Sequence, residues 1–182
     1  WIGFYILFVG LNIVGVELSF KVTLIVTLLA LACLVVFWFS ALPAIDFTRW
    51  AMNVGAEGVA LPEGKGPFLP KGFMGVLACL PFAVWLFLAI EQLPLAAEES
   101  VDPARDMPRG ILAGIFTLII SAFMILWLNP SVAGIGSHKL ATSGEPLLDG
   151  LKAIYGEGIA KTLATVAVLG LVASFHTIIF AE

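Results

Sequence analysis

The residues best suited to chemistry lie where a long apolar stretch meets an acidic residue. Residues 72 to 90 carry no charge over 19 positions, close to the roughly 20 residues with which a helix crosses a membrane. Glu91 follows directly, and Pro94 comes three residues later. A carboxylate at membrane depth costs roughly 2.5–3.5 kcal/mol. We therefore expect Glu91 to face protein, a bound partner or water.

Pro94 predicts that the helix breaks near this acid. Proline donates no backbone hydrogen bond and clashes with the carbonyl four residues earlier, which is that of Ile90. A break near residues 88 to 91 leaves backbone groups free, and it is tolerated only where protein or a cavity satisfies them. A discontinuous helix with an acid at its break is typical of the substrate or ion site of a transporter.

Composition points to a membrane protein. The 182 residues are 60% hydrophobic and 12% charged, about half of the roughly 25% charged residues of a soluble domain. The net charge of −4 and the scattered basic residues predict no nucleic-acid partner. Cys33 and Cys79 lie in apolar runs and are predicted to be buried packing thiols. No spacing of residues predicts a disulfide, a metal site or a cofactor.

Uncharged stretches predict four complete membrane spans and the end of a fifth. Because Trp1 already lies inside an apolar run, we expect the sequence to be a piece of a longer polytopic protein. The predicted spans cover about residues 1–16 (partial), 22–45, 72–97 (broken), 110–129 and 160–181.

The predicted connections alternate between short and long ones. Residues 17–21 and the charged loop 98–109 are short and must share one side of the membrane, while 46–71 and 130–158 are long. Within the last of these, apolar residues at helical spacing predict a short amphipathic helix over 146–155. That helix would either cap a pathway or lie on the surface.

The residues from Glu91 onward form a long, ordered pattern, E-x5-A-E-E-x2-D-P-x-R-D-x-P-R-G. This pattern closely resembles the sixth-helix and following-loop signature of the amino acid–polyamine–organocation (APC) permeases, where the usual wording is GFE, then AEE, then NPxRxIPR. Asn12, Gly15 and Lys21 also fit the junction between that superfamily's fourth and fifth helices. The run from Pro81 to Glu99 is most similar to ethanolamine permeases, bacterial inner-membrane importers.

The resemblance implies a fold and a function. It implies an all-α polytopic membrane protein, a fragment of a LeuT-type inverted-repeat transporter from the end of helix 4 through helix 8, with helix 6 broken around the substrate. The whole chain, 1–182, would then be a partial amino acid permease domain. The short connections would lie inside the cell, although a count of lysine and arginine favours the opposite orientation. The implied function is secondary active import of a small amine or amino acid, above all ethanolamine, with proton coupling as an option.

Two departures from the family pattern limit what carries over. Ala89 and Ile90 stand where relatives usually have Gly-Phe, so the backbone at the break is less free. Ala30 stands where many proton-coupled relatives have a lysine, so a lysine-based coupling mechanism does not carry over.

The candidate substrate site surrounds the predicted break. Glu91 could bind an ammonium group or exchange a proton, or it could only tie the broken helix to its neighbours. An aromatic residue at the position of Trp85 can stack over the substrate in relatives, and an indole face attracts ammonium; a packing role explains this residue equally well. Carbonyls of residues 87 to 90 would be free to accept from the ammonium. The predicted substrate-binding residues are Trp85, Phe87, Leu88, Ala89, Ile90 and Glu91.

Two further groups of polar residues are candidates. The predicted coupling and gating residues are Glu91, Glu98, Glu99, Arg105 and Arg109, which could equally form a solvated loop whose exposed ion pairs contribute little. His176, with Ser174 and Thr177, forms a polar cluster inside the last span. We interpret it as an interhelical hydrogen bond, with an ion or substrate contact as the alternative.

The sequence argues against one other class of function and leaves another open. A membrane-embedded metallohydrolase fails on spacing, because the chain has two histidines and no HExxH motif, so no enzyme is predicted. A non-transporting membrane sensor of the same fold, or an amino acid or polyamine permease or exchanger, stays open.

Overall fold

The computed structural model describes residues 2–88, 94, 97–98 and 100–181. The helices are α1 (Ile2–Val14), α2 (Val16–Ala41), α3 (Gly72–Ala78), α4 (Leu80–Leu86), α5 (Pro103–Ser131), α6 (Gly136–Leu140) and α7 (Pro146–Ala181). Three helical stretches of the described chain are long and apolar enough to cross a membrane: Glu17–Ala44, Pro103–Ser131 and Pro146–Ile179.

The turn between α1 and α2 is shorter than predicted. Gly15 alone separates the two helices, and α2 already begins at Val16. The predicted connection 17–21 is therefore wrong, because these residues form the first turns of α2. Glu17 and Lys21 lie one helical turn apart and pair at 2.6 Å, so both charges are accommodated on an exposed helix face.

Helices α2 and α7 form an antiparallel pair that holds the fold together. Their surfaces approach closely at mid-length, where a Cβ on Gly170 would lie 3.3 Å from the Cβ of Ala30. Polar contacts join the pair at three levels along its length. They are Ser19 to His176, Cys33 Sγ to the carbonyl of Leu163 (3.2 Å), and Ser40 to Tyr155.

The buried core lies at one end of this pair. Phe37 of α2, Leu128 of α5 and Leu151 of α7 are all fully buried there. The predicted amphipathic helix over 146–155 is confirmed as the first part of α7. Its apolar face packs against the ends of α2 and α5 and forms part of the buried core. Gly156, at φ 75° and ψ 177°, turns the chain from this segment into the rest of α7.

The two long connections meet at the same end of the molecule. The backbone N–H of Asp46 donates to the carbonyl of Ser131 at 2.9 Å, and that of Ala133 donates to Ala44 at 3.2 Å. A second link joins the connections farther along, where Asn53 Oδ1 accepts from the backbone N–H of His138 at 3.0 Å. The ends of α2 and α5 and the start of α7 therefore lie together, as alternating short and long connections require.

The segment that contains α3 and α4 differs from a single continuous helix. The helix is interrupted at Cys79, because Pro81 two residues later has no N–H and clashes with the carbonyl of Leu77. Neither helix contains a buried residue. The prediction that Cys79 is a buried thiol is therefore wrong, whereas Cys33 is buried as predicted.

Helix α5 starts earlier than predicted, at Pro103. A proline is well accepted at the first helical position, where its missing N–H has no helical partner to lose. The N–H groups of Arg105 and Asp106 both bond to the carbonyl of Asp102, at 3.1 and 2.8 Å. The second half of the predicted loop 98–109 is therefore helix.

Candidate functional site

The predicted substrate-binding residues fall at the end of α4. Trp85, Phe87 and Leu88 are 73%, 38% and 63% exposed. The remaining predicted members, Ala89, Ile90 and Glu91, lie outside the described residues. The structure therefore describes only the part of the predicted substrate site that precedes residue 89.

Helix α4 ends at Leu86, ahead of the acid. Phe87 has φ −95° and ψ 5°, and the N–H groups of Phe87 and Leu88 bond three residues back, at 3.2 Å each. These bonds occupy the carbonyls of Val84 and Trp85, and the last turn as a whole carries the negative end of the helix dipole. The C-terminus of α4 at Leu86 is thus an electronegative helix end.

An open apolar hollow of about 500 Å³ runs along one side of α4. Phe87 and Leu88 border it, together with Leu80, Ala83 and Val84. Trp85 is not among its lining residues. The structure therefore brings two of the three described substrate candidates together, and it leaves the third on another face of the helix.

The predicted gating residues lie on both sides of the start of α5. Glu98, Arg105 and Arg109 are exposed, and Glu99 lies outside the described residues. The two arginines are four residues apart on α5 and so project from the same side of the helix. Among the described residues neither arginine has an ion-pair partner, so the charge network stays a prediction.

His176 lies in a polar cluster at the junction of α1, α2 and α7. Its ring is 2% exposed; Nε2 contacts Ser19 Oγ, and Nδ1 lies 2.6 Å from Thr23 Oγ1. Ser19 Oγ in turn donates to Asn12 Oδ1 at 2.6 Å. The predicted interhelical hydrogen bond of His176 is confirmed, but its partners are not the neighbours in sequence. Ser19 and Thr23 were missed, although their spacing of four puts both hydroxyls on one face of α2.

Comparison with known proteins shows the family. The Amino acid permease family profile matches residues 1–145. The chain belongs to the amino acid permease family. The fold-class prediction is therefore confirmed: the chain is an all-α polytopic membrane protein that corresponds to part of an APC transporter.

Curated relatives of this permease are bacterial transporters. It is 30% identical over 84% of its length to an uncharacterized transporter of Rhizobium meliloti, covering 30% of that protein. It is 31% identical over 41% of its length to the branched-chain amino acid permease BcaP of Bacillus subtilis, covering 15% of it. A probable GABA permease of Pseudomonas aeruginosa is 28% identical over 58% of the chain, which covers 26% of that relative.

The permease chain thus spans less than a third of the length of these relatives. No solved structure matches it significantly.

Proposed function

We propose that this permease is a secondary active transporter that imports a small amine, with ethanolamine as its substrate, across the bacterial inner membrane. The observation that carries the proposal is the end of α4 at Leu86, five residues before an acid that follows an apolar stretch. Residues 72–97 would act as a broken sixth helix within a partial permease domain that comprises 1–182. The similarity of the run from Pro81 to Glu99 to ethanolamine permeases supports this substrate.

The chemistry at the helix end suits a cation. The helix C-terminus carries partial negative charge and contributes about 0.3–1 kcal/mol to a cation held there at an exposed site. Glu91 adds a full negative charge a few residues later in the chain. An ammonium group bound between the two would exchange its water for carbonyl and carboxylate oxygens. In this proposal Glu91 contacts the ammonium or takes part in proton coupling.

The side chains around the break contribute the remaining contacts. Trp85 lies on another face of α4 than the hollow, so its exposed side chain would have to turn toward the ammonium; its indole face would then contribute about 0.5–2 kcal/mol depending on desolvation. Phe87 and Leu88 would bound the carbon chain of the substrate from the apolar hollow, and the backbone of Ala89 and Ile90 would supply carbonyls. Glu98, Glu99, Arg105 and Arg109 would form the cytoplasmic charge network that closes the inward gate.

A second candidate substrate class is an amino acid. Two of the relatives described above carry names of amino acid permeases, for branched-chain amino acids and for GABA. Ethanolamine and an amino acid both present an ammonium group, and they differ in the carboxylate. Uptake competition therefore distinguishes the two candidates directly.

The test is uptake of radiolabelled ethanolamine into proteoliposomes that hold the full-length protein, with and without a pH gradient. We expect saturable uptake that Glu91→Gln abolishes, while Glu57→Gln, which changes an exposed acid in the 46–71 connection, leaves it intact. Uptake that requires Glu91 but ignores the gradient would make the acid a substrate contact in a uniporter or exchanger.

Competition by unlabelled GABA and leucine decides the substrate class. Ethanolamine uptake that persists in their presence supports the amine assignment. Saturable uptake of either amino acid by folded protein that ignores ethanolamine would replace ethanolamine by an amino acid. Folded protein that transports none of the three would overturn the transport proposal and favour a membrane sensor.

A further inference from the structure

A charged hollow of about 320 Å³ lies beside the end of α5, between the turn that follows this helix and the first part of α7. Residues 133 to 135 line it from the turn, Lys139 lines it from α6, and Asp149 and Lys152 line it from α7. The proposed substrate site on α4 shares no lining residue with this hollow.

The two lysines of the hollow lack a counter-charge within the described part of the chain. Lys21 and Lys161 each pair with a glutamate one helical turn away, whereas neither Lys139 nor Lys152 has an ion-pair partner among the described residues. Lys152 is also half-buried. Because an ammonium group that is partly removed from water is stabilised by an opposite charge, an anion in this hollow would stabilise both lysines.

Two acids lie near these lysines, and each has another partner. Asp149 lines the same hollow, but its Oδ2 accepts a hydrogen bond from Ser143 Oγ at 2.6 Å. Glu157 attracts Lys152 electrostatically, but it pairs with Lys161 at 2.8 Å. The lining of the hollow therefore carries two positive charges and one negative charge, which leaves a net charge of +1.

The hollow lies where a candidate membrane span ends. The apolar stretch Pro103–Ser131 is long enough to cross a membrane, and Ala133 follows its last residue by two positions. Lysine side chains near the end of a span can reach the phosphate groups of lipids. A phosphodiester in a lipid headgroup has a single negative charge, which matches the net charge of the hollow better than the charge of about −1.5 to −2 on a phosphate monoester.

We propose that this hollow binds the phosphodiester of an anionic lipid headgroup, held by the ammonium groups of Lys139 and Lys152. Charge-assisted hydrogen bonds from both lysines then join α6 to the first part of α7 through the bound lipid. The inference goes beyond the proposed transport function and does not depend on it, because lipid binding is measured whether or not the protein transports ethanolamine.

The direct test is native mass spectrometry of the full-length protein, titrated with phosphatidylglycerol in a background of phosphatidylcholine. We expect the double variant Lys139→Gln/Lys152→Gln to bind its most tightly held phosphatidylglycerol at least about fivefold more weakly than wild type, since each substitution removes a charge-assisted bond. The matched control is Lys65→Gln/Lys71→Gln, which removes two exposed lysines from the 46–71 connection and should bind like wild type. Equal affinity in the double variant and wild type overturns the proposal.

A competition arm distinguishes a lipid from a soluble anion. Glycerophosphoglycerol is the water-soluble headgroup of the same lipid, with the phosphodiester and no acyl chains, and inorganic phosphate is the simplest soluble alternative. We expect either one to compete at least about tenfold more weakly than the lipid, because acyl chains in the bilayer raise the effective concentration of the headgroup. Soluble phosphate or headgroup that binds as tightly as the lipid would overturn the lipid assignment.

A third variant keeps the proposal falsifiable if the double variant does not fold. Asp149→Asn keeps an oxygen that can accept from Ser143, but it removes the negative charge from the hollow. The net charge then rises from +1 to +2, so phosphatidylglycerol should bind severalfold more tightly in the same titration. An unchanged or weaker affinity would show that the charges of the hollow do not hold the lipid, and would overturn the proposal.

Discussion

The α2–α7 pair and the α3–α4 segment are both apolar and helical, yet their polar groups are satisfied in different ways. Along α2 and α7 each buried polar side chain named above has a partner on the facing helix or on α1. Along α3 and α4 no side chain is buried, and the aromatic ring of Trp85 is 73% exposed. The first region completes most of its polar contacts within the chain, with the buried indole nitrogen of Trp38 as an exception, whereas the second leaves its side chains exposed.

If the proposed function is correct, this difference separates scaffold from site. A helix whose partners are all present is held in one position, and residues such as Phe37 can be packed at full density. A segment that must admit a substrate keeps contacts unmade until the substrate or a neighbouring helix supplies them. Trp85, Phe87 and Leu88, the described residues that the sequence predicts for substrate binding, are exposed as expected for this second kind.

The largest expected effect contrasts two phenylalanines. Phe37→Ala removes a fully buried ring and should lower the free energy of unfolding by about 3–5 kcal/mol. Phe82→Ala on α4, where the ring is 74% exposed, should cost far less. Thermal unfolding of the two detergent-solubilised variants measures the difference. Equal losses would mean that other parts of the full-length protein cover α4 as tightly as α7 covers α2.

A smaller effect is expected at two glycines of α7. A Cβ on Gly150 would collide with Asn129 Oδ1 and come within 3.0 Å of Phe37, so Gly150→Ala should destabilise by about 1–3 kcal/mol. Gly158→Ala on the same helix meets nothing within 4 Å and should be neutral or stabilising by up to about 1 kcal/mol. Melting temperatures of the two variants test this. If Gly150→Ala is as stable as Gly158→Ala, the packing at the core end is looser than described.

Thiol chemistry reports on the same contrast without changing the packing. Cys33 is buried and donates to the carbonyl of Leu163, whereas Cys79 is exposed. A membrane-permeant maleimide should modify Cys79 at least about tenfold faster, because reaction requires an accessible thiolate. Mass spectrometry of the labelled protein gives both rates, and Cys79→Ser identifies the fast site. Comparable protection of both thiols would place Cys79 behind another part of the full-length protein.

The smallest effect is expected at the exposed pair of Glu157 and Lys161. Their charged groups lie 2.8 Å apart, but the side chains are 71% and 62% exposed and water screens the interaction. Glu157→Gln should leave the melting temperature unchanged within error at physiological salt. A clear drop would show that Glu157 and Lys161 are less exposed in the full-length protein than in this structure.

Local patterns in the sequence predicted those features that local rules control. The spacing of Leu147, Leu151 and Ile154 is enough to predict the first part of α7, because an apolar face of that period needs a helix. The start of α2 was misplaced because Glu17 and Lys21 look like a turn until their pairing across one helical turn is considered. The start of α5 was misplaced for a related reason, since Pro103 begins a helix as readily as it ends one.

The sequence alone could predict only those parts of the candidate site whose residues lie close together in the chain. An acid after a long apolar stretch is visible in a single sequence, and so is the proline that follows it. The partners of His176 are not visible, because Ser19 and Thr23 lie more than 150 residues away and become neighbours only when α2 and α7 pack. Ser174 and Thr177, which lie beside His176 in sequence, give no indication of which helix supplies its partners.

The polar contacts of α2 and α7 have a mechanical consequence. Because the two helices are joined near both ends and at mid-length, from His176 to Tyr155, neither can slide or rotate along the other without breaking a buried hydrogen bond. We therefore expect the pair to move as a unit. A conformational cycle would then take up its displacement outside the pair, at the interruption at Cys79 and in the irregular connection between residues 46 and 71.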